Sequence, residues 1–262
     1  MSEVMFINCQ IVADERKTYL NGSIHVRDGK IQDIYHSPKK DYEGKVIDLK
    51  GLTMIPAFFS LDTFSVPQVG TGSYLRRDHL DDKCLGLFKD YVYDLDIEDD
   101  KVRLALINED IDTEALKAKG IKLVLGHSDI TIDKIEKLDV DAIGPLFYDM
   151  SFDPYHPSLI SYALMSDKYV LLDTRDLPKI TLDLAIKNIR KDRLIFIGDH
   201  LLDDMKCDIA LSDLVAYTST NAHDLLGHPK NNGRLMRGSK ADFIILDKER
   251  NYVLSYIGGR VC

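Results

Sequence analysis

The chain has 262 residues, of which 45% are hydrophobic and 29% charged, and a formal net charge of −9 at pH 7. This length and make-up fit a globular protein with one large α/β domain and a smaller appendage. The acidic balance argues against a nucleic-acid surface, because neutralising phosphates needs clustered Lys and Arg.

Four cysteines, at positions 9, 84, 207 and 262, form no CxxC pair. Thiols scattered in this way read as reduced and cytosolic, and not as a zinc-cysteine site. The N-terminus lacks the basic-then-apolar pattern of a signal peptide, and no apolar run approaches the roughly 20 residues needed to span a bilayer. The expected setting is the cytoplasm, with neither membrane nor nucleic acid as partner.

Taken in chain order, the first fifty residues are strand-rich. Met5–Val12, Gly22–Arg27, Lys30–Tyr35 and Lys45–Asp48 are β-prone runs separated by turn signals at Asn21-Gly22 and Asp28-Gly29. Asp28-Gly29 predicts a hairpin, because a type I′ turn needs positive φ at both central residues. The next stretch, Gly51 to Phe64, carries an apolar run through Pro56 towards Asp62-Thr63-Phe64.

Strands and helices then alternate. The candidate strands are Met54–Leu61, Val102–Ile107, Lys122–Leu125, Ala142–Phe147, Tyr169–Leu172 and Leu194–Ile197. Helices are expected over Asp112–Lys119, Ile132–Leu138, Pro157–Met165 and Ile180–Ile189, the last from the spacing of Leu182, Ala185, Ile186 and Ile189. Asp94–Asp100 reads as a solvated acidic loop. Strand texture returns at Ala241–Asp247 and Val253–Ile257, followed by a last short run after Gly258-Gly259.

Alternation of this kind predicts a parallel sheet with crossover helices, whose chemistry sits at the carboxyl ends of its strands. Those ends offer Asp62, Asn108-Glu109, Gly126-His127-Ser128, Tyr148-Asp149, Asp173 and Gly198-Asp199-His200. There is no Gly-x-Ser-x-Gly elbow, phosphate-cradling P-loop or dinucleotide fingerprint.

Five segments carry a family resemblance. They are Gly51–Leu61, Leu125–Thr131 (Leu-Gly-His-Ser-Asp-Ile-Thr), Asp192–Asp199, Asn221–Gly227 and Gly233–Asp247. Together they resemble the N-acetylglucosamine-6-phosphate deacetylases of the amidohydrolase superfamily. The Gly233–Asp247 segment marks the superfamily, whereas Gly-His-Ser-Asp-Ile-Thr followed by Leu146–Met150 points to the deacetylases.

The resemblance implies an α/β fold: a (β/α) TIM-like barrel of the amidohydrolase type with a small β-sandwich formed by both chain termini. The chain is short between Phe64 and His79, so a shortened or incomplete barrel of about six strands is expected. The division implied is residues 1–50 and 232–262 for the β-sandwich and 51–231 for the barrel. The resemblance also implies a homodimer and hydrolysis of an acetamido group on an amino-sugar phosphate, by water activated on zinc or iron.

Carried over residue by residue, the family's site is only partly present. The paired histidines of the first barrel strand fall on Asp62 and Phe64, and the third-strand glutamate has no counterpart. The histidine of Gly-His-Ser is kept as His127, and the next falls on Pro145. The catalytic aspartate is kept as Asp199. Tyr148 stands for a substrate-contacting asparagine and Tyr155-His156 for an arginine, while a further histidine falls near Asp176.

Each position also has a plainer reading. His127 precedes Ser128 and Asp129 and could belong to a helix cap. Asp199 could be a structural carboxylate, and His156 a surface-loop histidine. Tyr148 and Tyr155 could line a pocket or fill space, and His200 is expected to point away from Asp199. His223 is expected to pack or face solvent, and His228 to lie in a turn.

A catalytic zinc normally takes about three protein ligands and an open position. His127, Asp199 and Asp62 barely reach that number, so metal is expected to be absent or weakly held. Two functions follow. One is an impaired deacetylase using Asp199 with His127 and Asp62. The other is a non-catalytic relative that binds a sugar phosphate, regulates or oligomerises, with Tyr148, Tyr155 and His156 as weak contacts.

Overall fold

The computed structural model describes residues 3–39, 41–59, 61, 104–107, 113–126, 130–148, 150–153, 155–197, 208–258 and 260–261. Two compact units emerge. The described residues of Met1–Phe59 and His200–Cys262 form one, and those of Arg77–Asp199 form the other.

In the first unit both chain ends build one sheet. Its strands are β1 (Glu3–Val12), β2 (Thr18–Arg27), β3 (Lys30–Tyr35), β4 (Lys45–Asp48), β5 (Thr53–Pro56), β11 (Phe243–Leu246), β12 (Tyr252–Ile257) and β13 (Arg260–Val261). The path runs β13-β12-β11-β5-β1-β2-β3, and β4 also pairs with β1.

One residue sets this branching. Asn8 has φ 57°, and the β1–β2 register shifts on both sides of Cys9. Val4–Ile7, ahead of that bulge, lie parallel to β4, whereas Gln10 and Ile11, beyond it, lie parallel to β5. An extra residue re-aims a strand and lets one strand serve two neighbours. The core beneath is aromatic, with Phe6 edge-on to Phe243 at 5.1 Å and to Tyr256 at 5.2 Å.

The Asp28-Gly29 hairpin is as expected, with φ 49° and 72° at its two central residues. The Asn21-Gly22 turn is corrected, because β2 runs unbroken through it. Gly22 is there for space: a Cβ would meet Ile11 Cδ1 and the Tyr35 carbonyl oxygen, each at 2.9 Å.

The expected strand Met54–Leu61 is also corrected. The strand is Thr53–Pro56, and it pairs parallel to β1 and antiparallel to β11. It therefore belongs with the chain ends and not with the parallel sheet. Four buried residues in a row read the same way in either setting, so only the pairing partners distinguish them.

The second unit holds a parallel sheet of β6 (Leu104–Ile107), β7 (Lys122–Leu125), β8 (Ala142–Ile143), β9 (Tyr169–Asp173) and β10 (Leu194–Ile197). Among the described residues it has five strands, against the six expected. Spatial order equals chain order, so no reversal marks it as doubly wound.

Helices α1 (Thr113–Ala118), α2 (Ile132–Leu138), α3 (Leu159–Met165) and α4 (Lys179–Asn188) are the crossovers. Successive helices touch, α2 with α3 and α3 with α4. The expected Ala142–Phe147 strand is shortened to Ala142–Ile143, because positive φ values of 150° at Gly144 and 70° at Phe147 turn the chain out of the ladder.

Candidate functional site

All five strands of a parallel sheet end on the same rim, where chemistry is expected. The register lines up Ile107 with Leu125, and Leu125 with Ile143. The β10 terminus, Ile197, lies opposite Asp173.

At the end of β8 the chain presents Gly144-Pro145-Leu146, none of which can donate an electron pair from a side chain to a metal. It nevertheless stays tied to its neighbours. The Gly144 amide donates to the Leu125 carbonyl at 2.9 Å, and the Leu146 amide to that of Leu171 at 2.8 Å. Gly144 is required because a Cβ would lie 2.6 Å from Leu171 Cβ.

At the end of β9, Asp173 is engaged by its own turn. Its carboxylate accepts the Arg175 amide at 2.9 Å and pairs with the Arg175 guanidinium at 2.9 Å. Asp176, where the resemblance implies a histidine, has φ 56° in that turn.

Three sequence candidates fall on the segment after β8. Tyr148 closes a turn whose amide donates to the Pro145 carbonyl at 3.3 Å, and its side chain is 57% exposed. Tyr155 is 87% exposed, and its amide donates to Asp153 Oδ1 at 2.8 Å. His156 Nδ1 lies 2.7 Å from Asp153 Oδ2. That contact, followed by the Tyr155 amide, holds the Asp153 carboxyl below its usual range. Tyr155 and His156 thus share one Asp-centred surface turn. The other candidates, Asp62, His127 and Asp199, lie outside the described residues.

The resemblance implies a divalent metal. Among the described residues no group of three or more His, Cys, Asp or Glu could hold one.

A second cluster went unread in the sequence. Helix α5 (Leu211–Val215), a π-helical turn (Ala216–Thr220) and α6 (Asn221–Leu225) follow one another directly. Such widened turns recur at functional sites. Here the turn holds the segment after β5. The Phe59 amide donates to the Thr218 carbonyl at 2.8 Å, and Ser219 Oγ donates to the Ala57 carbonyl at 3.0 Å. Phe59 also stacks on His223, with ring centroids 4.2 Å apart.

His223, 2% exposed, faces His228, with the two Nδ1 atoms 2.8 Å apart. His223 therefore packs, and the alternative of a solvent-facing residue is set aside. A Schellman cap makes the pair: the His228 amide donates to the His223 carbonyl at 3.0 Å, the Gly227 amide to that of Asp224 at 3.1 Å, and Gly227 has φ 68°. The signal was legible, since a glycine closing a helix sets the residue four before it beside the residue one after it.

No protein-family model matches the sequence, and no curated protein matches it. Solved structures do match the fold. An N-acetylglucosamine-6-phosphate deacetylase from Pasteurella multocida aligns over 100% of both chains with TM-score 0.81 and 15% identity. One from Mycobacterium smegmatis, in complex with N-acetyl-D-glucosamine-6-phosphate, covers 100% of this chain and 99% of its own, with TM-score 0.77 and 13% identity.

The chain shares the deacetylase fold. The resemblance first read from five sequence segments is thus met in three dimensions. An enamidase, described as a member of the amidohydrolase superfamily, also aligns, with TM-score 0.65, 13% identity and coverage of 99% and 95%. One fold therefore spans different reactions, and the choice of reaction falls to the site.

Proposed function

We propose that this chain is a deacetylase-like protein whose metal centre has been dismantled, so that it binds an amino-sugar phosphate and hydrolyses its acetamide slowly or not at all. One observation carries the reading. Where the resemblance calls for a metal-binding histidine, the end of β8 carries Pro145, whose side chain has no electron pair to donate, in a segment tied to β9 by the Leu146 amide.

In this reading the parallel sheet is part of a shortened barrel over residues 51–231, and residues 1–50 and 232–262 form the smaller domain. His127, with Asp62, stands where metal ligands were, and Asp199 where the general acid–base group was. A bound divalent ion would supply Lewis acidity and an activated water. Tyr148, Tyr155 and His156 contact the ligand, the protein is a homodimer, and it works in the cytoplasm.

The test uses protein purified without a metal-binding tag. Bound zinc and iron are quantified, acetate release from N-acetylglucosamine 6-phosphate is assayed, and ligand binding is followed by calorimetry. Saturable binding without metal or turnover is the expected result. Stoichiometric metal, with turnover abolished by Asp199→Asn, overturns the proposal.

A further inference from the structure

The His223–His228 pair plays no part in that reading, and its geometry has a chemical consequence. Two Nδ1 atoms 2.8 Å apart can share one proton, one nitrogen donating and the other accepting. Two protons cannot fit there, because two N–H groups would then point at each other.

The surroundings add to this. Burial first, then His228, Arg234 and Lys240, push the His223 imidazole well below its ordinary titration range. Arg234 is countered in turn by Asp224, at 2.7 Å, and by Glu15, at 3.7 Å. The segment packed on the other side of the pair, Ala57–Phe59, carries no charged group.

That segment depends on the pair. Phe59 stacks on His223 at 4.2 Å and meets His228 edge-on at 5.9 Å. Space around His223 is tight: a Cβ on Gly233 would lie 2.4 Å from its ring. An imidazole that must rehydrate cannot stay in this slot, and leaving it uncovers Phe59.

We propose that the His223–His228 pair is an acid-sensitive latch, which holds the Ala57–Phe59 segment against the π-helical turn when neutral and releases it when charged. The proposal does not rest on the deacetylase-like reading. A buried histidine with a depressed folded pKa keeps its full stabilising effect above the unfolded value of about 6.5 and loses it as pH falls below. The opening takes up at least one proton, so release grows by about tenfold or more per pH unit in that window.

The test is backbone hydrogen exchange of the full chain between pH 7.5 and 5, corrected for intrinsic rates. Protection of the Phe59 amide should fall at least tenfold per unit below about pH 6.5. Protection of the Val170 amide, bonded to the Arg193 carbonyl in the parallel sheet, should stay constant. His223→Gln, which removes the buried titrating ring but keeps a neutral donor and acceptor, should flatten the Phe59 profile.

Protection at Phe59 that is independent of pH, or an acid loss unchanged in His223→Gln, overturns the latch. So does stoichiometric zinc binding abolished by that substitution, which would make the pair a metal ligand set. Should the variant fail to fold, the ring-proton titration of His223 in the unaltered protein decides. A midpoint at or above about 6.5 overturns the latch, and one below supports it.

Discussion

Gly144 lies so close to Leu171 that a Cβ on it would stand 2.6 Å from the Leu171 Cβ and 2.6 Å from its carbonyl oxygen. Its φ of 150° is a second barrier to any other residue. The obstructing atoms belong to backbone and Cβ of a central strand, which cannot rotate away. Gly144→Ala is therefore expected to cost about 2–3 kcal/mol, as overpacking and backbone strain combine. Urea unfolding monitored by circular dichroism measures it.

Arg193 is buried, and its guanidinium donates to the carbonyl of Lys168 at 2.6 Å and also to that of Ser166. It thereby closes the carboxyl end of α3 against the start of β10. Arg193→Met keeps much of the volume but leaves two half-buried carbonyls without this donor, at a cost of about 1–3 kcal/mol. Arg193→Lys recovers only part of that, since an ammonium lacks the planar fork. Unfolding midpoints of the two variants give the ranking.

Asp153 titrates below its usual range chiefly because His156 bonds to its carboxylate. His156→Ala should move the Asp153 midpoint up, seen by carboxyl-carbon NMR. The pair is exposed, so unfolding midpoints should not change with it. A ligand that uses His156 should in turn perturb the same resonance on binding.

Cys9 is buried, and desolvation pushes its thiol up to about 12. At pH 8 it should resist iodoacetamide in the folded protein and react once denatured. Mass spectrometry of the peptide that carries Cys9 reads this directly. Early labelling of Cys9 would mean that the β1 bulge opens readily.

Phe6 in the first strand meets Phe243 and Tyr256 from the last strands. Phe6→Ala should cost about 3–5 kcal/mol. Deleting residues 243–261 should stop residues 3–56 from folding, because β5 would lose β11 and the core its aromatic lid. Two-dimensional NMR of the truncated chain checks it.

Much of this protein was legible as a linear pattern. Lys30–Tyr35, Lys45–Asp48 and Ile132–Leu138 begin and end where propensity and turn chemistry predict. Those signals are local, because φ preferences and apolar spacing act within a few residues. That Pro145 stands where the resemblance implies a histidine was equally plain, since that is a matter of residue identity. The sequence alone therefore carried the deacetylase resemblance.

Partners in space were decided elsewhere. Thr53–Pro56 is an apolar run that could have opened the parallel sheet, yet β1 and β11 capture it. The bulge at Asn8 frees β1 to take that second neighbour, and nothing in the run itself records this. Phe59 and His223 likewise read as two unrelated residues until the fold stacked their rings. Strand pairing and side-chain burial depend on contacts between residues far apart in the chain, and only the tertiary structure sets those.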